Sequence, residues 1–172
     1  MYGLGEVDLV PSRRTRSSKE VSTAWQIDAY QMDIPVMTHP TDAIVSPSSA
    51  IAFNNLGGLA VLNGEGLWAR HADPEAAIAE LREIALEDLT GVRAVTRLQE
   101  LHKAPINEEF LVAAVQKIRE EGGTVAVRVS PQRARELTPG RIKAGIDMLA
   151  DQGTTISAEH VSGEDAPLNL KE

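Results

Sequence analysis

The 172-residue chain contains no cysteine. Disulfides, thiolate metal sites and a cysteine nucleophile within it are thereby excluded. Aromatic residues make up only 3%, so the core must be built mainly from Leu, Ile, Val and Ala, which suits α/β layers better than an all-β sandwich. No apolar run approaches the roughly 20 residues that a membrane helix requires. The first ten residues have neither a basic segment nor a long apolar one, so no secretory signal is expected. Positive charge is also scarce: 17 Lys and Arg stand against 25 Asp and Glu, a net charge of −8. Duplex nucleic acid is therefore not an expected partner, because phosphate binding needs a basic stripe. These absences together point to a cytoplasmic protein that uses neither membrane nor nucleic acid. Hydrophobic residues at 42% are ordinary for a globular chain, and the length suits one core.

The pattern along the chain alternates. Residues 1–33 read as an irregular arm, with a polar basic stretch over 13–19 and a possible strand over 21–27. Ile34-Pro35-Val36-Met37 is a short apolar run bounded by turn residues, as expected of a buried strand. Ser46 is a candidate N-cap, Pro47 suits the first helical position, and Gly57-Gly58 supplies a stop. Leu59-Ala60-Val61-Leu62 is the next strand. Asp73-Pro74-Glu75 starts a helix that places Ile78, Leu81 and Ala85 on one face. Another helix opens at Asn107, carries Leu111, Ala114, Val115 and Ile118 on one stripe, and ends at Gly122-Gly123. Residues 124–129 are rich in β-branched side chains and read as a strand. Residues 138–152 allow two readings. One is a helix opened by Thr138-Pro139; the other is a short helix ended at Gly145 and followed by a strand over 146–152. Strand–helix–strand alternation of this kind builds parallel sheets with crossover helices.

Neither G-x-G-x-x-G after a strand nor G-x-x-x-x-G-K-[ST] is present, and Gly64-Glu65-Gly66 reads as an ordinary turn. The histidines His39, His71, His102 and His160 lack any short metal-ligand spacing. The segment Thr38-His39-Pro40-Thr41-Asp42 offers more. It lies just past the carboxyl end of an apolar strand, where parallel α/β folds place their ligands. It presents hydroxyl, imidazole and carboxylate groups within five residues, although a capped turn would have the same composition. Glu159 and His160 are adjacent and would point to opposite faces of an extended strand, so a solvated loop is favoured over a dyad. The Arg13-Arg14-Thr15-Arg16 cluster is either a phosphate contact or a solvated arm.

Several stretches resemble one family. Gly5-Glu6-Val7-Asp8-Leu9-Val10-Pro11 resembles the D-D-V-L-L-V-P opening of IMP dehydrogenases and GMP reductases. The run from Asp33 through Ile34-Pro35-Val36-Met37-Thr38-His39-Pro40-Thr41 to Asp42 resembles their N-I-P-[IL]-V-S-[AS]-P-M-D segment. Ala50-Ile51-Ala52 followed by Leu56-Gly57-Gly58-Leu59-Ala60-Val61-Leu62 resembles A-I-A…L-G-G-I-G-V-[IL]. Gly153-Thr154-Thr155-Ile156-Ser157-Ala158-Glu159-His160-Val161-Ser162 is similar to the IMP-dehydrogenase-related paralogue found beside the true enzyme in many bacteria.

The resemblance implies an α/β fold, the N-terminal half of a TIM (β/α)8 barrel. Residues 1–33 would form its arm and residues 34–172 its first three to four β/α units, with no room for a regulatory CBS pair. It implies NAD- or NADP-linked redox chemistry at C2 of a purine nucleoside monophosphate, in an assembly that is tetrameric when full length. The nucleophilic cysteine would come from a C-terminal half absent from these residues, so the chain taken alone would be catalytically incomplete. By resemblance His39, Pro40, Thr41 and Asp42 fall at the nucleotide, and Gln152, Gly153 and Thr154 at the cofactor. Three positions depart from the family pattern: His39 for a small residue, Thr41 for methionine and Gln152 for aspartate. They motivate the alternative of a non-catalytic nucleotide-binding or regulatory paralogue. An open half-barrel would also leave unpaired strands at its edges, so the isolated chain is expected to dimerise or aggregate.

Overall fold

A computed structural model describes residues 4–8, 10 and 17–153. The arm is less irregular than its sequence suggests. A hairpin forms between β1 (Trp25–Ile27) and β2 (Tyr30–Met32), turned at Asp28, whose φ of 50° is left-handed. The Trp25 indole Nε1–H donates to the Ile34 carbonyl at 2.6 Å, and the Tyr30 hydroxyl donates to Asp147 at 3.1 Å.

The expected strand at residues 34–37 shrinks to one parallel bridge, Met37 with Leu59. Pro35 has no N–H to give, and the amides of Asp33 and Ile34 both turn to the Gly57 carbonyl instead. The chain still runs alongside its neighbour, because the Leu59 amide donates to Val36 at 3.1 Å and the Thr38 amide donates to Leu59 at 3.0 Å. Helix α1 (Pro47–Asn55) follows with a full capping box, Ser46 and Ser49 bonding reciprocally. It leads to β3 (Val61–Asn63).

Three further helices fill the connection to the next strand. Helix α2 (Pro74–Glu87) starts where Asp73 caps the Ala76 amide, as the Asp-Pro-Glu signal predicts. Helix α3 (Val92–Leu101) pairs with it, and α4 (Glu108–Glu120) crosses back over the sheet. Strand β4 (Ala126–Val129), α5 (Pro131–Ala144) and β5 (Met148–Asp151) complete the described chain.

Of the two readings of residues 138–152, the helix ended at Gly145 and followed by a strand is the one observed, but its start is corrected. Pro131 after Ser130 opens α5, and Pro139 sits inside it. The Thr138 hydroxyl, bonded to the Ala134 carbonyl at 2.6 Å, is a helix-interior contact rather than a cap.

The sheet order is β3–β4–β5, all parallel, with the 36–38 segment on the outer side of β3. Each strand thus lies beside its predecessor in sequence, with a helix in every crossover. This is an α/β fold of the kind expected for part of a (β/α)8 barrel. Side chains alternate across the strands. Ala60, Leu62, Val125 and Val127 face α4, where the foreseen stripe Leu111, Ala114, Val115 and Ile118 is buried. Leu59, Val61 and Ala126 face the other way and are covered by Met32, Trp25 and Tyr30. The hairpin therefore closes the end of the sheet where the strands begin and leaves the carboxyl ends uncovered by it. Among the described residues no helix is long and apolar enough to cross a membrane.

Candidate functional site

The inward alternation of Leu59 and Val61 brings Asn63 to the carboxyl end of β3 on the same face. The same period carries Ala126 to Arg128 and Met148 through Ala150 to Gln152, and Asn63 is in register with Arg128. These three polar side chains form the top layer of an otherwise apolar sheet face. With the 39–43 loop and the inner sides of α2 and α3 they line one cavity of about 790 Å³. His39, Pro40, Thr41, Asp42, Gln152 and Gly153, placed in two groups by the sequence, all border it. Thr154 lies outside the described residues, as do Glu159, His160 and the arginines at 13, 14 and 16.

Asp42 anchors the site. Its Oδ2 accepts the Leu67 amide at 3.0 Å and the Asn63 side-chain amide at 3.5 Å, while its Oδ1 is buried without a partner among the described residues. Burial holds its carboxyl above the usual carboxylate range, opposed by the Leu67 N–H and by the nearby charges of His102 and Arg70. His39 Nδ1 and Thr41 Oγ1 lie 2.6 Å apart, so two of the three residues that depart from the family pattern hold each other. Thr38 secures the loop from below, its hydroxyl accepting the Val61 amide at 2.9 Å. At the far side the Arg128 guanidinium grips the Gln152 carbonyl through Nε and Nη2 at 3.1 and 2.6 Å, leaving Nη1 free of that contact. Gln152 thus fixes the strand end through its backbone and offers a neutral side-chain amide to the cavity.

Gly64-Glu65-Gly66 is a turn, as its composition suggests, but a crowded one. A Cβ on Gly66 would lie 2.2 Å from both Asp42 oxygens, and one on Gly64 would lie 2.7 Å from the Arg128 carbonyl. Glu65 reaches across to Ser130, accepting its amide and, at 3.1 Å, its hydroxyl. Arg141, from α5, has a fully buried side chain and donates to the Gly64 carbonyl and to Glu108. Asn63, Arg128, Glu65 and Arg141 are the residues that sequence reasoning missed. Period-two counting from Val61 and Ala126 finds the first two. Nothing local marks Arg141, whose partner Gly64 is 77 positions away.

No protein-family model matches the chain. Among curated proteins it is 61% identical over 170 residues to an uncharacterized oxidoreductase of Mycobacterium tuberculosis, and 59% identical over 170 residues to one of Mycobacterium leprae. Each match covers 99% of this chain and 45% of the relative. Among solved structures, an IMP dehydrogenase/GMP reductase-like protein from Corynebacterium glutamicum superposes with a TM-score of 0.87 at 52% identity. That match covers 93% of this chain and 43% of that one. The chain is homologous to the IMP dehydrogenase/GMP reductase-like family. It spans somewhat less than half the length of the curated relatives it matches. With no cysteine in its 172 residues, the chain carries no thiol nucleophile.

Proposed function

We propose that the chain supplies the nucleotide-holding face of a purine-nucleotide oxidoreductase of the IMP dehydrogenase/GMP reductase type. The carrying observation is convergence: residues 39–42 and 152–153, far apart in sequence, border one cavity at the carboxyl ends of parallel strands. In this reading the 39–42 loop holds a purine nucleoside monophosphate. Asp42 borders the cavity, and its Oδ1 is a buried acceptor without a partner among the described residues. The pairing of His39 with Thr41 fixes both side chains and restricts the pose of the base.

A nicotinamide dinucleotide is the matching cofactor, and it supplies the hydride donor or acceptor when bound. The donor set fits it. Apolar surface from Ile78, Leu81 and Leu98 meets Asn63, Arg128 and Gln152 within the same cavity. Gln152 exchanges neutral hydrogen bonds with a ribose diol where a carboxylate would make charged ones. The thiol nucleophile of the reaction comes from outside these residues. A covalent intermediate of that kind divides one difficult displacement into two easier steps. Assembly into a homo-oligomer belongs to the same reading.

The test is a spectrophotometric assay of reduced cofactor in the full-length protein, with IMP plus NAD or NADP in one direction and GMP plus the reduced forms in the other. Turnover in either direction is expected. Absence of turnover in both refutes the enzyme reading. The tie between His39 and Thr41 favours a second reading, a nucleotide-binding paralogue without redox chemistry. That reading predicts saturable binding of IMP or GMP with no turnover.

A further inference from the structure

The turn over residues 64–66 is held by two side chains of α5 that ordinary helix chemistry would use differently. Ser130 precedes Pro131 at the start of α5, where a serine hydroxyl usually caps its own helix. Here it makes no capping bond, and its amide and hydroxyl both donate to Glu65. Arg141, on the same helix, is fully buried, and its Nε finds no acceptor among the described residues. A buried guanidinium stabilises a fold poorly, because its desolvation offsets most of what its bonds return; an aliphatic side chain of similar volume fills the same space without that cost. What Arg141 supplies is an anchor. It donates to the Gly64 carbonyl and, on the α4 side, to Glu108. Local rules broken together mark places where geometry outweighs stability.

Three residues that line the cavity depend on where this turn lies. The Gly64 amide donates to the Arg128 carbonyl at 2.8 Å, and the Glu65 amide donates to the Asn63 side-chain carbonyl at 3.1 Å. The Leu67 amide, just past the turn, donates to Asp42. The turn also has no slack. A Cβ on Gly64 would meet Val127 at 2.6 Å, and Gly66 is pressed against the Asp42 carboxylate on the other side. A shift of the turn relative to α5 therefore moves Asn63, Arg128 and Asp42 together.

Resting on the nucleotide reading of the 39–42 loop, we propose that Arg141 and Glu65 are positioning residues of the nucleotide site. Neither borders the cavity. They act through the turn, Arg141 by fixing its first carbonyl and Glu65 by tying its middle to the start of α5. Helix α5 thereby sets the polar layer at the carboxyl ends of β3 and β4, from the side of the sheet opposite the ligand.

Calorimetric titration of the full-length protein with IMP and with GMP tests this, at a temperature well below the melting transition of every variant. Arg141→Met and Glu65→Ala remove the two ties. Arg141→Lys and Glu65→Gln each keep part of what was lost. Val115→Ala is the control: it truncates a fully buried side chain in the α4 core, away from the cavity, and so weakens the fold without touching the turn. The expected result is a loss of roughly tenfold in nucleotide affinity for Arg141→Met and Glu65→Ala, within the about hundredfold that an ångström of misplacement can cost. Lys and Gln at these positions return part of the affinity, and Val115→Ala lowers the melting temperature while holding affinity within about twofold of the parent. Affinity within about twofold of the parent in both Arg141→Met and Glu65→Ala overturns the proposal. So does an equal loss in Val115→Ala, which would assign the effect to general loosening of the fold. The parent titration separates the two readings: a parent that binds neither nucleotide strikes the reading of the 39–42 loop and the positioning role with it, whereas a parent that binds while the variants bind equally well strikes the positioning role alone.

Discussion

Replacing Gly66 by alanine isolates the packing on which the site depends. Gly66 has φ −88° and ψ −159°, an extended conformation that alanine adopts freely, so the substitution carries no backbone strain. Its cost is steric. The new methyl would sit 2.2 Å from both oxygens of Asp42, well inside the 3.4 Å at which ordinary contact begins. The carboxylate must retreat by more than 1 Å, and its 3.0 Å bond from the Leu67 amide cannot survive that movement. A hydrogen bond to a charged group contributes about 1.5–3 kcal/mol. Overpacking a filled site costs a further ~1–3 kcal/mol. Partial relaxation of Asp42 toward the cavity recovers some of this, so a net destabilisation of about 2–4 kcal/mol is expected, read from denaturant titration. IMP affinity should fall with it. The decisive control is the double-mutant cycle with Asp42→Ala, in which the clash has no partner and Gly66→Ala should become nearly neutral. A cost below about 0.5 kcal/mol for Gly66→Ala alone, or the same cost in both backgrounds, would refute the reasoning.

Two other perturbations test the same region. Burial raises the Asp42 carboxyl, so the folded state favours its protonated form, and the stability contributed by this group falls as pH climbs from the ordinary Asp range through the raised value. Asp42→Asn keeps an acceptor for the Leu67 amide and should stabilise the protein relative to the parent near pH 7, with the advantage shrinking near pH 4. Denaturant titration at the two pH values checks this, and an advantage that grows on acidification contradicts it. Arg141→Met removes a fully buried guanidinium, leaving the Gly64 carbonyl without its partner while the half-exposed Glu108 turns to water. A loss of about 1–3 kcal/mol is expected from the orphaned carbonyl, recovered in part by Arg141→Lys. Equal stability of the two variants would show that charge at this position is immaterial.

Much of the fold was legible because its signals are local. Ser46-Pro47 and Asp73-Pro74 announce helix starts through the chemistry of their own side chains, and the apolar stripe of α4 declares which face is buried. Reading failed where distant contacts outweigh local ones. Thr138-Pro139 has the look of a helix start, but α5 already runs from Pro131, and its packing through Ala134, Leu137 and Arg141 carries it past the proline. The strand at 34–37 lost its ladder to Gly57, a partner about twenty positions away. The hairpin at 25–32 has no Gly turn to mark it and relies on Asp28 at positive φ.

The site divides in the same way. His39 to Asp42 stand out by their place just past an apolar run and by resemblance to a family motif, and Gln152 by resemblance alone. The supports that hold them, Glu65 to Ser130 and Arg141 to Gly64, span 65 and 77 positions and exist only in the folded chain. The two glycines flanking Glu65 look like turn formers. Their requirement comes equally from the neighbouring Asp42 carboxylate and the Arg128 carbonyl.

The most direct test of the central claim is a crystal structure of the full-length protein grown with IMP or GMP. The nucleotide is expected at the carboxyl ends of the strands, in contact with the 39–42 loop. A nucleotide bound elsewhere, or none bound at saturating concentration, would contradict it.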